Sequence, residues 1–297
     1  MTLVAQPSPK EFQPYRKVQA TAEHDLRLVL ETTAKAIQAR VRTLKPGIGG
    51  QIRKAQLIAT LGAIRRMQRE MWINRVNPRV TRGVVDAEKA AESAIEAMTR
   101  VAYAALSDQA AEVLIRGLRL AAESGLKSDA ARKRRDLSSR VYKQIAFHND
   151  RIEHLIRSGL ISNLSAKELA GSVYEYVSPT TPGGASYAAM RLARTEINNA
   201  FHERQLAGAN RPGVKAVQWN LSGSHRVPDL CNVYASHGGN GHWAVGNVPD
   251  KPHPQCFCYL TYITQSPDAF AKALSNGDFD EEIDRRTKAN LARLGVR

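Results

Sequence analysis

Twelve of the eighteen aromatic residues lie from Tyr174 onward, and only six occupy the first 173 positions. The front of the chain is rich in Ala, Leu and Arg and carries apolar residues at helical spacing. The back adds Gly, Pro and aromatics, the vocabulary of turns and a packed sheet. This partition points to an α+β chain, with a long helical N-terminal half, a compact C-terminal domain holding a small β-sheet, and a helix-rich whole. Four segments are expected: a flexible arm over 1–17, a basic helical domain over 18–160, an α+β domain over 161–264, and C-terminal helices over 265–297.

Local signals place the elements. Leu26, Val29, Leu30, Ala34 and Ile37 recur at three and four, predicting a helix over 18–44 that Lys45-Pro46-Gly47 ends. Leu57, Leu61, Ile64, Met67 and Met71 mark a second helix over 51–76, interrupted at Asn77-Pro78. An Ala-rich helical stretch covers 84–123, with Asp108 as a cap for a new segment. Arg132 to Arg135 open another helix that reaches Ser158 and stops at Gly159. Ser165 and Glu168 form a capping box for 166–176, and a further helix covers 186–209. Strands are expected at 214–221 and 257–263, with loop chemistry filling 222–254. Pro267-Asp268 opens a short helix, and 280–294 reads as a final amphipathic one.

The net charge is +15, from 43 basic and 28 acidic side chains. Residues 1–150 carry a net +12 and residues 151–297 a net +3, so polyanion affinity is expected of the front half. The run Arg132, Lys133, Arg134, Arg135 is a candidate anion or DNA contact, a solvated helix start being the alternative. No run approaches 18 consecutive apolar residues, so no membrane partner is expected, and the first residues lack the apolar core of a secretory signal. Three cysteines exclude a disulfide scaffold.

Two constellations could carry chemistry. In Arg194-Thr195-Glu196, the acid borders the stripe of Ala189, Leu192, Ala193, Ile197, Ala200 and Phe201, and Arg191, Arg194 or Arg226 could pair with it. A structural ion pair of Arg194 and Glu196 is the expectation, and a catalytic acid the alternative. Loss of Glu196 is then expected to cost on the order of 3–5 kcal/mol. The second constellation is denser. All three cysteines and four of the eight histidines fall between His225 and Cys258. Cys231, His253, Cys256 and Cys258, with His225 in reserve, make a four-donor set for a structural Zn²⁺, and a buried thiol and histidine cluster is the alternative. Nucleotide phosphate loops, HExxH and GxSxG are all absent from the sequence.

These elements in this order resemble the Mu protein F-like minor head protein (phage head morphogenesis) family of tailed bacteriophages. The resemblance is carried by Leu164–Ala170, by Ala193-Arg194-Thr195-Glu196-Ile197-Asn198-Asn199-Ala200, by the Trp219 strand, by His225 to Asp229-Leu230-Cys231-Asn232, and by His253-Pro254-Gln255-Cys256-Phe257-Cys258, and covers about 160–264. Tyr234 stands where many members carry a second Cys, and Phe257 where Arg is frequent. The resemblance implies a non-enzymatic minor capsid protein at the portal vertex, inside the virion, assembled in the host cytoplasm. Its implied partners are the portal protein, scaffold or major capsid protein, and DNA. Related domains also sit beside toxins of the ADP-ribosyltransferase type, which makes such an enzyme one alternative. A sequence-independent DNA-binding protein is the other.

Overall fold

A computed structural model describes residues 10–45, 54–102, 137, 139–162, 164–211, 213–223, 225–278 and 281. It has the expected α+β class: long helices through the N-terminal half and one small antiparallel sheet in the C-terminal part. The helices are α1 (Gln13–Arg42), α2 (Lys54–Glu70), α3 (Asn77–Ala102), α4 (139–161), α5 (Ala166–Val177) and α6 (Ala185–Ala209). Then come β1 (Val214–Asn220), α7 (Leu230–Ser236), β2 (His242–Ala244), β3 (Tyr259–Thr264) and α8 (Pro267–Ser275). The chain divides into two units interleaved in sequence, one from 19–83 and 133–197, the other from 1–18, 84–132 and 198–297. The expected segments are continuous in sequence, whereas each unit collects separate stretches of chain.

In the first unit, the periodic residues Ala34, Ile37 and Val41 of α1 meet Leu61 and Ile64 of α2, Ile152 and Ile156 of α4, and Leu169, Val173 and Val177 of α5. The predicted capping box at Ser165 and Glu168 starts α5, each side chain bonded to the other's backbone N–H. Two expected breaks are absent. Asn77-Pro78 does not end a helix, because a π-helical stretch, Met71–Val76, joins α2 directly to α3. Pro78 has no N–H, and its ring would press on the carbonyl one turn back. The wider π turn relieves both, and the Asn77 N–H bonds to the Trp72 carbonyl instead. The extra residue also rotates the later turns by about 100°. That rotation keeps Val76 and Val80 buried on the same side as Leu61 and Ile64. Nor does Gly159 stop α4, which runs on to 161. Gly159 is small for packing: a Cβ there would stand 2.6 Å from Leu169 Cδ1.

In the second unit, the sheet order is β2-β1-β3, with β1 antiparallel to both neighbours. Val217 and Trp219 of β1 and Leu260 of β3 form its buried face with the three cysteines. The loop expected over 222–254 contains α7 and β2, which single-strand patterning missed. β2 is three residues long and exists through its pairing with β1, Val217 opposite Trp243. Gly241 lets the chain turn into it: φ is +71°, and a Cβ would stand 2.6 Å from the Ala235 carbonyl oxygen. The end of the expected arm is also structured. Phe12 lies against Tyr259, centroids 4.4 Å apart, and Tyr15 stacks on Phe201 at 3.7 Å while its hydroxyl bonds Asn198. Pro14 sits in the first turn of α1, where a missing N–H has no cost, so two buried rings decide the conformation. Residues 1–9 lie outside the described residues, as do 103–136 with the Asp108 cap, and the helix expected over 280–294 save position 281.

Polar side chains join α6 to the sheet. Gln205 donates to the Leu260 carbonyl at 2.8 Å and accepts its N–H at 3.2 Å, acting as a strand partner on the β3 edge. His202 is bonded at 3.1 Å to the Pro249 carbonyl, which can only accept, so its Nε2 carries the proton. Burial holds the His202 pKa down at about 3, with Lys251 pushing the same way. The folded state therefore keeps this ring neutral while the unfolded chain protonates near pH 6.5. Stability is expected to be whole above that value and to fall as the pH drops from about 6.5 toward 3. Denaturant midpoints at pH 7 and pH 5 should differ in that direction, and the difference should shrink in His202→Gln.

Candidate metal centre

Asp229 caps α7, accepting the Cys231 N–H at 2.7 Å, while Asn232 Oδ1 accepts the Asp229 N–H at 3.0 Å. This box turns Cys231, fully buried, inward from the first turn of α7. The other ligands arrive on the segment before β3. Gln255 takes a positive φ of 62°, the one such non-glycine among the described residues, and Cys256 and Cys258 follow it, both buried. They precede β3 rather than lying on it, yet alternation still turns both sulfurs to the Cys231 side.

Two overlapping triads result, Cys231–His253–Cys256 and His225–Cys231–Cys258, with donor atoms within 4.8 Å of one another in each. Cys231 Sγ lies 3.4 Å from Cys256 Sγ and 3.3 Å from His253 Nε2. A tetrahedral zinc with ordinary bond lengths sets such edges at about 3.5–3.8 Å. Cys231, Cys256 and His253 are thus spaced nearly as the ion requires on these two edges, while Cys258 joins Cys231 in the second triad, with His225. His253 is the better placed fourth ligand. Its Nδ1 donates to the Pro254 carbonyl at 3.0 Å, leaving the Nε2 lone pair facing Cys231 Sγ and, at 3.1 Å, Asp229 Oδ2. A metal ion would satisfy this convergence of a nitrogen, a sulfur and a carboxylate oxygen, and so would a proton on Nε2 shared with Asp229. His225 donates its Nε2–H to Asn232 Oδ1 at 2.7 Å, which leaves Nδ1 as the nitrogen able to ligate in the triad with Cys231 and Cys258.

Sequence reasoning missed Lys251. It is half-buried, and its ammonium donates to the Cys256 and Cys258 carbonyls at 2.7 and 2.8 Å. Burial pulls its pKa down to about 8, against the three thiols, which pull it up. Hydrogen bonding from Cys258, helped by Lys251, lowers the Cys256 thiol to about 5, while burial raises Cys231 to about 12. Three thiolates and one imidazole on Zn²⁺ would carry a net −1, which the Lys251 ammonium would neutralise. Nothing in the sequence marks Lys251 as a partner of the cysteine carbonyls. Asp229 falls within the expected loop, and its N-cap role emerges only with α7.

The Arg194–Glu196 pair does not form. Two positions apart on one helix, the side chains point away from each other. Arg194 pairs with Glu23 of α1 at 2.7 Å, and Glu196 with Arg140 of α4 at 2.8 Å, rather than with Arg191, Arg194 or Arg226. Arg140 is 46% exposed, so the cost of Glu196→Ala drops from the expected 3–5 to about 1 kcal/mol, read as a small shift in denaturation midpoint. Both residues belong to the first unit and the Cys/His cluster to the second. Arg132, Lys133, Arg134 and Arg135 lie outside the described residues.

No family model, curated protein or solved structure matches the chain. Among the described residues, no helix is long and apolar enough to cross a membrane.

Proposed function

We propose that this chain is a structural head protein of a tailed bacteriophage, of the Mu protein F-like minor head class. It acts at the portal vertex inside the capsid, and its sheet is locked by a zinc ion on Cys231, His253, Cys256 and Cys258. One observation carries the reading. Two of the segments that bear the resemblance, Asp229–Asn232 and His253–Cys258, meet in one buried cluster beside the sheet. Four nitrogen and sulfur donors form the closed kind of zinc site, which holds segments together and leaves no position for a substrate. The basic helical half would engage the portal, scaffold or major capsid protein, and packaged DNA. The transferase alternative draws no support from its three residues. Arg194 is held by Glu23, the Thr195 hydroxyl donates to the Arg191 carbonyl at 2.8 Å, and Glu196 is held by Arg140.

The test is location. Particles purified by density gradient should contain the chain, and portal complexes released from them should retain it at high salt. Particles that assemble and package without it would overturn the reading, as would NAD turnover by the pure protein.

A further inference from the structure

The basic excess belongs to one unit far more than to one half. Residues 19–83 and 133–197 carry 23 basic and 10 acidic side chains, a net +13, leaving +2 for the other unit. Within the first unit the charge concentrates again. From Arg65 to Arg82, along the end of α2, the π turn and the start of α3, there are six arginines, no lysine and a single acid, Glu70. Arg65, Arg66, Arg69, Arg75 and Arg82 are exposed and Arg79 is half-buried. Arg65 pairs with Glu153, and Arg79 donates to the Arg75 carbonyl. Arg66, Arg69, Arg75 and Arg82 have no ion-pair partner among the described residues.

We infer that this arginine ridge is a binding surface for the phosphate backbone of duplex DNA, read without regard to sequence. It gives the basic half of the head-protein reading a defined contact face. The ridge is about 25 Å long, most of one turn of the duplex. Guanidinium forks match paired phosphate oxygens, which is the service arginine offers over lysine. A lipid surface is disfavoured by the opposite side of the same helices. Leu61, Ile64, Met71, Trp72, Val76 and Val80 are buried there, so no apolar face is free to enter a bilayer. An acidic protein surface would satisfy charge alone. Six arginines with a single acid over about 25 Å of exposed helix surface are better matched to the dense charge of a polyphosphate.

The experiment titrates the full chain with a random-sequence 40-base-pair duplex at several salt concentrations. The wild type should bind with a steep inverse salt dependence. R66Q/R69Q/R75Q/R82Q should weaken binding on the order of 10- to 100-fold and flatten the log–log salt slope by about 3–4, close to one per arginine. R66K/R69K/R75K/R82K should restore most of the affinity. The control R16Q/K17Q/K89Q/K215Q, four exposed basic residues of the other unit, should bind within about twofold of wild type. Helical circular dichroism and melting should be unchanged in all. If the quadruple glutamine variant loses its fold, R66Q/R69Q and R75Q/R82Q each provide half of the slope change. The inference is overturned if the wild type does not bind the duplex, whether or not it binds an acidic protein. It is equally overturned if the ridge variant and the control lose affinity alike. Each outcome is independent of whether the chain is found in particles, so the ridge and the head-protein reading can fail separately.

Discussion

Cys231→Ser should abolish stoichiometric zinc and destabilise the chain by on the order of 5 kcal/mol or more. Cys231 belongs to both donor triads, so its loss breaks either choice of ligands. Structural zinc in small domains contributes about 10–16 kcal/mol of apparent binding free energy, nearly all of it expressed as folding. The segments at stake, α7 and the stretch before β3, are separated by 22 positions between Cys231 and His253. Beyond β2, little regular structure holds that connection, so without the ion its closure entropy falls on packing alone. Elemental analysis of protein purified without chelator, alongside denaturation of wild type and variant, reads both effects. A zinc-free wild type in which Cys231→Ser still loses about 1–3 kcal/mol would assign the corner to thiol packing and remove the metal. Val233→Ser, at a position 60% exposed on the same helix, should change neither readout.

Glu92→Ala should cost about 3–5 kcal/mol, the second largest effect expected from one substitution. Glu92 of α3 holds two guanidiniums, Arg204 of α6 and Arg211 just after it, the latter at 2.8 Å. Those arginine side chains are only 7% and 8% exposed. Removing the carboxylate leaves two nearly buried positive charges beside each other without it. Glu92→Gln keeps the shape and should be nearly as damaging, because the missing quantity is charge. Adding Arg211→Met to Glu92→Ala should recover part of the loss, since one orphaned charge is gone. A Glu92→Ala variant that melts with the wild type would show that this triad does not anchor α3 and α6 to each other.

Much of the fold was legible because its signals are local. The 3.6-residue recurrence of Leu26, Leu30, Ala34 and Ile37 marks a helix wherever that helix packs. Ser165 and Glu168 satisfy one another's backbone within four residues, and Asp268 lies in the first turn of the short helix that Pro267 opens. The metal candidates were legible for a different reason: thiols and imidazoles are rare, and their crowding between His225 and Cys258 is a property of the sequence.

What the tertiary structure alone decided involves groups far apart in sequence. Pro78 reads as a stop in any local window, but continuity of one buried side from Leu61 to Val80 favours a π turn over a break. Gly159 reads as a stop until Leu169 is found occupying the space where its Cβ would be. β2 needs β1, and the Lys251 ammonium is held only where the cysteine segment brings the Cys256 and Cys258 carbonyls to it. The partners of Arg194 and Glu196 were misread for the same reason. Long charged side chains reach whatever α1 and α4 bring near, and a contact 56 or 171 positions away leaves no trace in local spacing. Periodicity, caps and rare donors belong to the chain itself. Ion-pair partners, the burial of a charge and the fate of a helix breaker depend on which distant segments the shared apolar core draws together.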